Sequence, residues 1–238
     1  MYFESFALLI MQAVILAAGL GTRMGDLTRD KPKPLLTIEN KTLLEHLFSS
    51  LPDAIDEVVL VVGYLKEQIR SLIGENHAGR KIVYVEQKEL KGTAHALAMC
   101  KNVLRGKFLV LMGDDLYRKE DLSKMIKFPL ALLAWELPEV DRQNDFQAIV
   151  KVNSQGNLVN IIERQPAVAG ALVNCGAYVL DERYFDLPLV PAGNKTAEFG
   201  LPQTFLQLVR QGAKIDIVKA SWWYKVSAPE DLKSVNSG

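Results

Sequence analysis

From residue 11 onward, short β-branched runs alternate with amphipathic segments, and the turn residues between them fall at the spacing of strand–helix units. That alternation leaves few options: the class is α/β, Rossmann-like, a doubly wound and mostly parallel sheet with helices packed on it. The pattern predicts strands over residues 13–17, 58–62, 82–85, 108–112 and 130–134, and helices over 43–50, 66–73 and 93–101. After about Pro138 the character changes. Strands predicted at 148–152, 158–162 and 177–180 are separated by Asn, Gly and Pro turns without long helices, which points to a smaller antiparallel lobe. A helix over 199–210, a strand over 215–219 and a closing helix from Pro229 complete the chain. With no internal repeat or linker, the expectation is a single domain over 11–238, with lobes at 11–137 and 138–238. Met11 reads as a natural start, so residues 1–10 are expected to be an N-terminal extension.

The composition narrows the function classes. In 238 residues, 28 Lys and Arg balance 28 Asp and Glu, and 49% of residues are hydrophobic, which excludes disorder, collagen and coiled coil. Zero net charge argues against nucleic acid or anionic lipid as a partner. Cys100 and Cys175 alone form neither a disulfide framework nor a metal-ligand spacing; both read as buried small hydrophobes suited to a reducing cytoplasm. Residues 5–22 carry no charge and mimic a membrane span or a signal peptide. Against that, Glu4 precedes the stretch without any Lys or Arg, and Gln12, Gly19 and Gly21 interrupt it, so no membrane partner is expected.

The segment LAAGLGTRMG, residues 16–25, follows the first strand at once and leads to Lys31-Pro32-Lys33-Pro34. In an open α/β sheet ligands sit beyond the carboxyl ends of the strands, and glycines there let backbone N–H groups approach phosphate oxygens. Gly19 and Gly21 are candidates for that approach. Arg23 would add a planar fork and Lys33 a point charge where a triphosphate rests, stabilising a phosphorus centre under attack. The plainer alternative is a glycine turn with two surface cations. A dinucleotide fingerprint fails because the third Gly is missing and Asp30 with two prolines blocks a following helix; a P-loop lacks its Gly-Lys-Ser/Thr.

Three further strand ends carry chemistry. VLMGDD, residues 110–115, puts Asp114 and Asp115 at a sheet edge, where Asp114 is a candidate Mg²⁺ ligand and Asp115 a candidate turn cap, the alternative being a solvated turn. Gln87 stands five residues before Gly92-Thr93, which opens a helix; its amide both donates and accepts, so it can read the edge of either pyrimidine while Gly92 approaches the ring. His95 reads as an exposed helix position. In the second lobe, Glu163 and Asn174 are placed to bond a polyol and Arg164 to hold a phosphate.

Taken in order from about Met11 to Val235, LAAGLGTRMG with KPKPLL, Gln87 with GTAHAL, MGDD, IIERQP, VNCGAY and the terminal APEDL resemble the nucleoside-diphosphate-sugar pyrophosphorylases, or sugar-phosphate nucleotidyltransferases. The resemblance implies the nucleotide-diphospho-sugar transferase fold. It also implies in-line attack of a sugar 1-phosphate on the α-phosphorus of a nucleoside triphosphate, with pyrophosphate released and no covalent enzyme intermediate. It places Arg23 and Lys33 on the phosphates and Asp114 on Mg²⁺. Ala17, Ala18, Gly19, Gln87, Gly92 and Thr93, with Gly21 and Thr22 of the same loop, are implied to surround the nucleotide. Glu163, Asn174 and Gly176, with Arg164, are implied to surround the sugar phosphate. UTP or dTTP is the expected triphosphate, and assembly into a homo-oligomer stays open.

Two positions depart from the family pattern. Phe146-Gln147 stands where Tyr-Gly is usual, and Gln147 adds bulk beside the sugar. Lys225 in Trp223-Tyr224-Lys225-Val226-Ser227-Ala228-Pro229-Glu230 occupies the place of a second metal carboxylate. Lys225 is read either as contacting a substrate phosphate directly or as a salt bridge to Asp114 or Asp115 in a retired site. Two other functions therefore stay in view: a catalytically impaired nucleotide-binding regulatory homologue, and a cytidylyltransferase acting on another phosphorylated alcohol.

Overall fold

The first strand, β1 (Met11–Leu16), is apolar apart from Gln12, and its four central residues are buried, as in a strand covered on both faces. The computed structural model describes residues 11–138, 146–166, 168–193 and 196–233; the expected extension 1–10 and the end of the closing helix past Lys233 lie outside the described residues. After β1 come the short hairpin β2 (Thr37–Ile38) and β3 (Lys41–Thr42), then α1 (Leu43–Ser50), β4 (Ile55–Val62), α2 (Lys66–Ile73), β5 (Asn76–His77), β6 (Arg80–Glu86) and α3 (Thr93–Ala98). The half closes with β7 (Lys107–Met112), β8 (Asp115–Tyr117), α4 (Lys119–Met125) and β9 (Ala131–Glu136). Helix α1 starts on a reciprocal cap: Thr42 Oγ1 accepts from the Glu45 amide at 3.1 Å, and Glu45 Oε2 accepts from the Thr42 amide at 2.7 Å. Those bonds from Thr42 hold the Glu45 carboxyl below its ordinary range.

The second half supplies β10 (Phe146–Val152), β11 (Leu158–Pro166), β12 (Leu172–Asp181), α5 (Leu201–Arg210), β13 (Asp216–Lys219) and β14 (Trp223–Lys225). Strands β7, β1, β4 and β6 are parallel neighbours, and β12 runs antiparallel along β7 with Tyr178 opposite Val110. The full order is β11-β10-β12-β7-β1-β4-β6-β5, so the antiparallel strands extend the same sheet. Strand β9, read from sequence as one more parallel strand, lies off this path, antiparallel to β12 and parallel to β13 alone. Cores form on both faces: Ile15 meets Leu47, Phe48 and Ile69 on one, while Val14 meets Leu97, Val110 and Phe205 on the other. Each such side chain contributes about 1.5–3 kcal/mol by leaving water, which is what holds eight-residue helices that would be marginal alone.

Three predicted helices differ at their ends. Residues 99–101 leave α3 as turns. Phe199 stays outside α5 because its peptide N–H donates to Lys91 O at 2.8 Å and its carbonyl accepts from Ala94 N at 3.0 Å. The segment from Pro229 is a 3-10 turn, Pro229–Leu232. Among the described residues no helix is long and apolar enough to cross a membrane. Cys100 and Cys175 are buried and unpaired as expected, and burial pushes the Cys100 thiol up to about 12 and the Cys175 thiol well up, so neither supplies a thiolate at neutral pH.

Candidate active site

A cleft of about 530 Å³ opens beyond the carboxyl ends of β1, β6 and β7. Its walls gather Ala17, Ala18, Gly19, Gly21, Thr22, Arg23 and Lys33 from the first loop, Gln87, Gly92 and Thr93 from the β6–α3 connection, and Asp114 from the end of β7. Eleven residues singled out from sequence thus converge on one space. Gly21 adopts φ +67°, and a Cβ there would lie 2.9 Å from Lys33 Cβ, so only glycine lets Lys33 tuck beneath the loop. Past Gly21 the chain makes 3-10 turns, Thr22–Thr28 and Lys33–Leu35, with no α-helix, as the prolines require. Arg23 is exposed at the mouth and makes no ion pair among the described residues.

Lys33 is not a surface cation. Its side chain is 8% exposed, and Nζ lies 2.5 Å from Asp114 Oδ2 and 2.5 Å from the Val226 carbonyl. One ammonium thereby joins the first loop, the end of β7 and the segment after β14. Asp115 corrects the sequence reading more sharply: it is neither a cap nor solvated, but 6% exposed at the start of β8, because β8 pairs with β14 and sets Asp115 opposite Lys225. Burial, and then the charge of Asp114, raise its carboxyl well above the ordinary range, against Lys225, Lys33 and the neighbouring Trp223 indole. The Trp223 Nε1 atom is buried with no hydrogen-bond partner among the described residues. Lys225 is exposed, and no ion pair within 4.0 Å links it to Asp114 or Asp115, so the salt bridge of the alternative reading is absent from this arrangement.

Gln87 is 4% exposed, and its amide is already committed. Nε2 lies 3.1 Å from the Gly92 carbonyl and 3.1 Å from His95 Nδ1. A carbonyl only accepts, so the nitrogen end must face Gly92, and the amide is not free to present either edge. His95, expected to be exposed, is half-buried against Gln87. Gly92 takes φ +89°, and a Cβ there would meet Phe199 O at 2.5 Å. Thr93 Oγ1 accepts from the Leu201 amide at 3.1 Å, which ties the entrance of α3 to that of α5.

The second-half candidates fall elsewhere. Gln147, Glu163, Arg164, Asn174, Gly176 and Lys225 are not among the lining residues of the cleft. Asn174 spends both ends of its amide on its own strand: Oδ1 accepts from Gly176 N at 2.9 Å and Nδ2 donates to Tyr178 OH at 2.8 Å. Gly176, at φ +72°, is packed so that a Cβ would reach Met112 Cγ at 2.7 Å and Asp115 Oδ2 at 3.3 Å. Arg164 stands exposed on the outer strand with φ +54°. Glu163 is linked to the cleft rim at one remove, accepting from Gln203 Nε2 at 3.5 Å, while Gln203 lies against the lining residue Gly200. Sequence reasoning missed Ala192, Glu198, Phe199 and Gly200, which line the cleft opposite Gly92. Their only early mark is Pro202, which fixes where α5 begins.

The donor set bears on a metal. Among the described residues no three His, Cys, Asp or Glu side chains gather to hold one, and one oxygen of Asp114 is taken by Lys33. The residues present therefore fit Mg²⁺ through a single carboxylate, with the remaining ligands drawn from substrate oxygens and water.

A parallel sheet with a glycine loop, two cations and a carboxylate around one cleft defines a phosphoryl-handling α/β protein, and the comparisons sharpen the class. The profile of the family described as Nucleotidyl transferase matches residues 12–237, and the chain belongs to that family. It is 31% identical to the UTP--glucose-1-phosphate uridylyltransferase AglF of Haloferax volcanii, over 93% of each chain. It is 28% identical to the Bifunctional protein GlmU of Methanococcus maripaludis over 95% of this chain, and spans about half (54%) of that relative's length. The UDP-glucose pyrophosphorylase of Acinetobacter baumanii shares the fold with a TM-score of 0.78 at 19% identity, covering 94% of this chain and 91% of that one. The family expected from the motifs is thus borne out.

Proposed function

We propose that the protein transfers the nucleotidyl group of UTP or dTTP to a sugar 1-phosphate, releasing pyrophosphate. The observation that carries this reading is the convergence of the Gly19–Arg23 backbone, Lys33, Asp114 and the Gln87–Thr93 turn on one cleft. A relative named UTP--glucose-1-phosphate uridylyltransferase supports it. A phosphate oxygen of the sugar 1-phosphate attacks the α-phosphorus in line, and the chain's work is positioning and charge neutralisation. Arg23 clamps the triphosphate at the mouth. Lys33 moves its ammonium from Asp114 to the phosphates, and Asp114 would then hold Mg²⁺ together with phosphate oxygens. When bound, that ion neutralises charge on the triphosphate.

With Gln87 Nε2 held by Gly92, its Oε1 is left as an acceptor for the base. Uracil and thymine offer an N3–H there, whereas cytosine offers a lone pair, so the polarity favours UTP and dTTP over CTP. Pyrophosphate release measured for each triphosphate against a panel of sugar 1-phosphates tests the reading. Turnover confined to UTP or dTTP supports it, and equal turnover of CTP, ATP or GTP refutes the base assignment.

One observation favours a second reading, a nucleotide-binding regulatory homologue: Asp114 is already held by Lys33, and Lys225 of β14 stands opposite the neighbouring Asp115. Lys225→Asp separates the two across a Mg²⁺ titration. A working Lys225 makes this variant slower or more demanding of Mg²⁺; a retired site makes it more active than the native chain.

A further inference from the structure

We infer that His95 is a positioning residue for base selection, which together with the Gly92 carbonyl locks the polarity of the Gln87 amide. The inference rests on the proposed nucleotide reading and deepens it. The chain of bonds has a single consistent direction. The Gly92 carbonyl, 3.1 Å from Gln87 Nε2, accepts one amide hydrogen, and the other points at His95 Nδ1, also 3.1 Å away. Nδ1 must therefore present its lone pair, which places the imidazole proton on Nε2. If Nδ1 carried the proton instead, it would meet an N–H donor, and the amide would turn its oxygen to the ring of His95 and its nitrogen to the base. The reversed amide complements cytosine, and it would oppose two carbonyl oxygens at Gly92. His95 and Gly92 hold the nitrogen end from two sides, and Oε1 is the end left for the ligand.

The geometry is local and enclosed. Gln87 is 4% exposed, so its amide cannot exchange these partners for water without opening the turn. Gly92 is fixed in turn by Phe199, whose carbonyl and amide lie 2.5 and 2.8 Å from where a Cβ would stand. His95 sits three residues on, on the first turn of α3 facing Gln87, and touches no proposed phosphate or metal group.

Two measurements test this. Long-range proton–nitrogen NMR correlations of the native imidazole should show His95 with its proton on Nε2 and a bare Nδ1; a proton on Nδ1 overturns the inference without any variant. Separately, UTP and CTP affinities are measured by calorimetry for the native chain, His95→Ala and His95→Asn. Native protein should bind UTP at least about tenfold more tightly than CTP, the scale of one mispaired buried amide. His95→Ala should lower the ratio at least about threefold, the Gly92 carbonyl still holding the nitrogen end, and His95→Asn, whose Oδ1 accepts where Nδ1 did, should restore most of it. A native ratio retained in a folded His95→Ala, or an Asn variant no better than Ala, overturns the role of His95 and leaves the nucleotide reading intact. Native protein that binds neither triphosphate overturns both.

Discussion

The two halves of the sheet treat their polar residues in opposite ways. Around the ends of β1, β6 and β7, side chains and bare backbone are turned into a shared space: Gly19 has no atom within 4 Å of where a Cβ would stand, and Arg23 is unpaired among the described residues. Along β11 and β12, equally polar residues are spent on the strand itself, with Asn174 holding Gly176 N and Tyr178 OH. The difference follows from topology. Parallel strands end in connections that must cross back to the opposite end of the sheet and so leave a crevice where they diverge, whereas antiparallel strands return at once and satisfy their own ends. A polar residue at a strand end is thus a site candidate in one context and a local brace in the other.

That contrast breaks most readily at Lys33 and Asp114. Lys33→Ala and Asp114→Ala are each expected to lower kcat/KM for nucleotidyl transfer by at least about a hundredfold while circular dichroism stays native. Near-normal turnover in Asp114→Ala would remove the carboxylate from the proposed chemistry.

On the other side, Asn174→Ala should act as a stability variant. Losing two half-buried hydrogen bonds costs about 1–2 kcal/mol, read as a lowered midpoint in urea, with KM for the sugar phosphate changed less than about threefold. A large KM effect at unchanged stability would make Asn174 a substrate contact after all. The smallest effect is expected at Gln147, which is half-buried on β10. Gln147→Gly should shift the order of preferred sugar 1-phosphates by about one pocket contact, some tenfold or less, with the triphosphate preference unmoved.

How far the residues foretold this arrangement depends on range. Helix α1 matches its predicted span because its start is written locally, in Thr42 and Glu45, and its buried face in Leu44, Leu47 and Phe48. The parallel strands were legible because strands enclosed on both faces read as unbroken apolar runs. Asp115 was misread since its burial depends on a three-residue strand pairing with β14, more than a hundred residues away, and no short-range pattern records that. For the same reason Phe199 and Glu198 went unnoticed: Phe199 is held at the cleft by bonds to Lys91 and Ala94, and Glu198 beside it by its carbonyl, which accepts from Ala192 N. His95 was dismissed as a surface helix position because its partner, Gln87, lies before a glycine turn whose φ of +89° folds the two together.

The most direct test follows the label. UTP carrying a labelled α-phosphorus is incubated with the native chain, Mg²⁺ and each of a panel of sugar 1-phosphates, and the products are separated. The account predicts that, with at least one sugar 1-phosphate, the label moves into a nucleoside-diphosphate sugar in step with pyrophosphate release, and that no transfer occurs when the sugar phosphate is omitted. Tight binding of UTP with no label transferred to any member of the panel, in either metal-rich or metal-poor buffer, would contradict it.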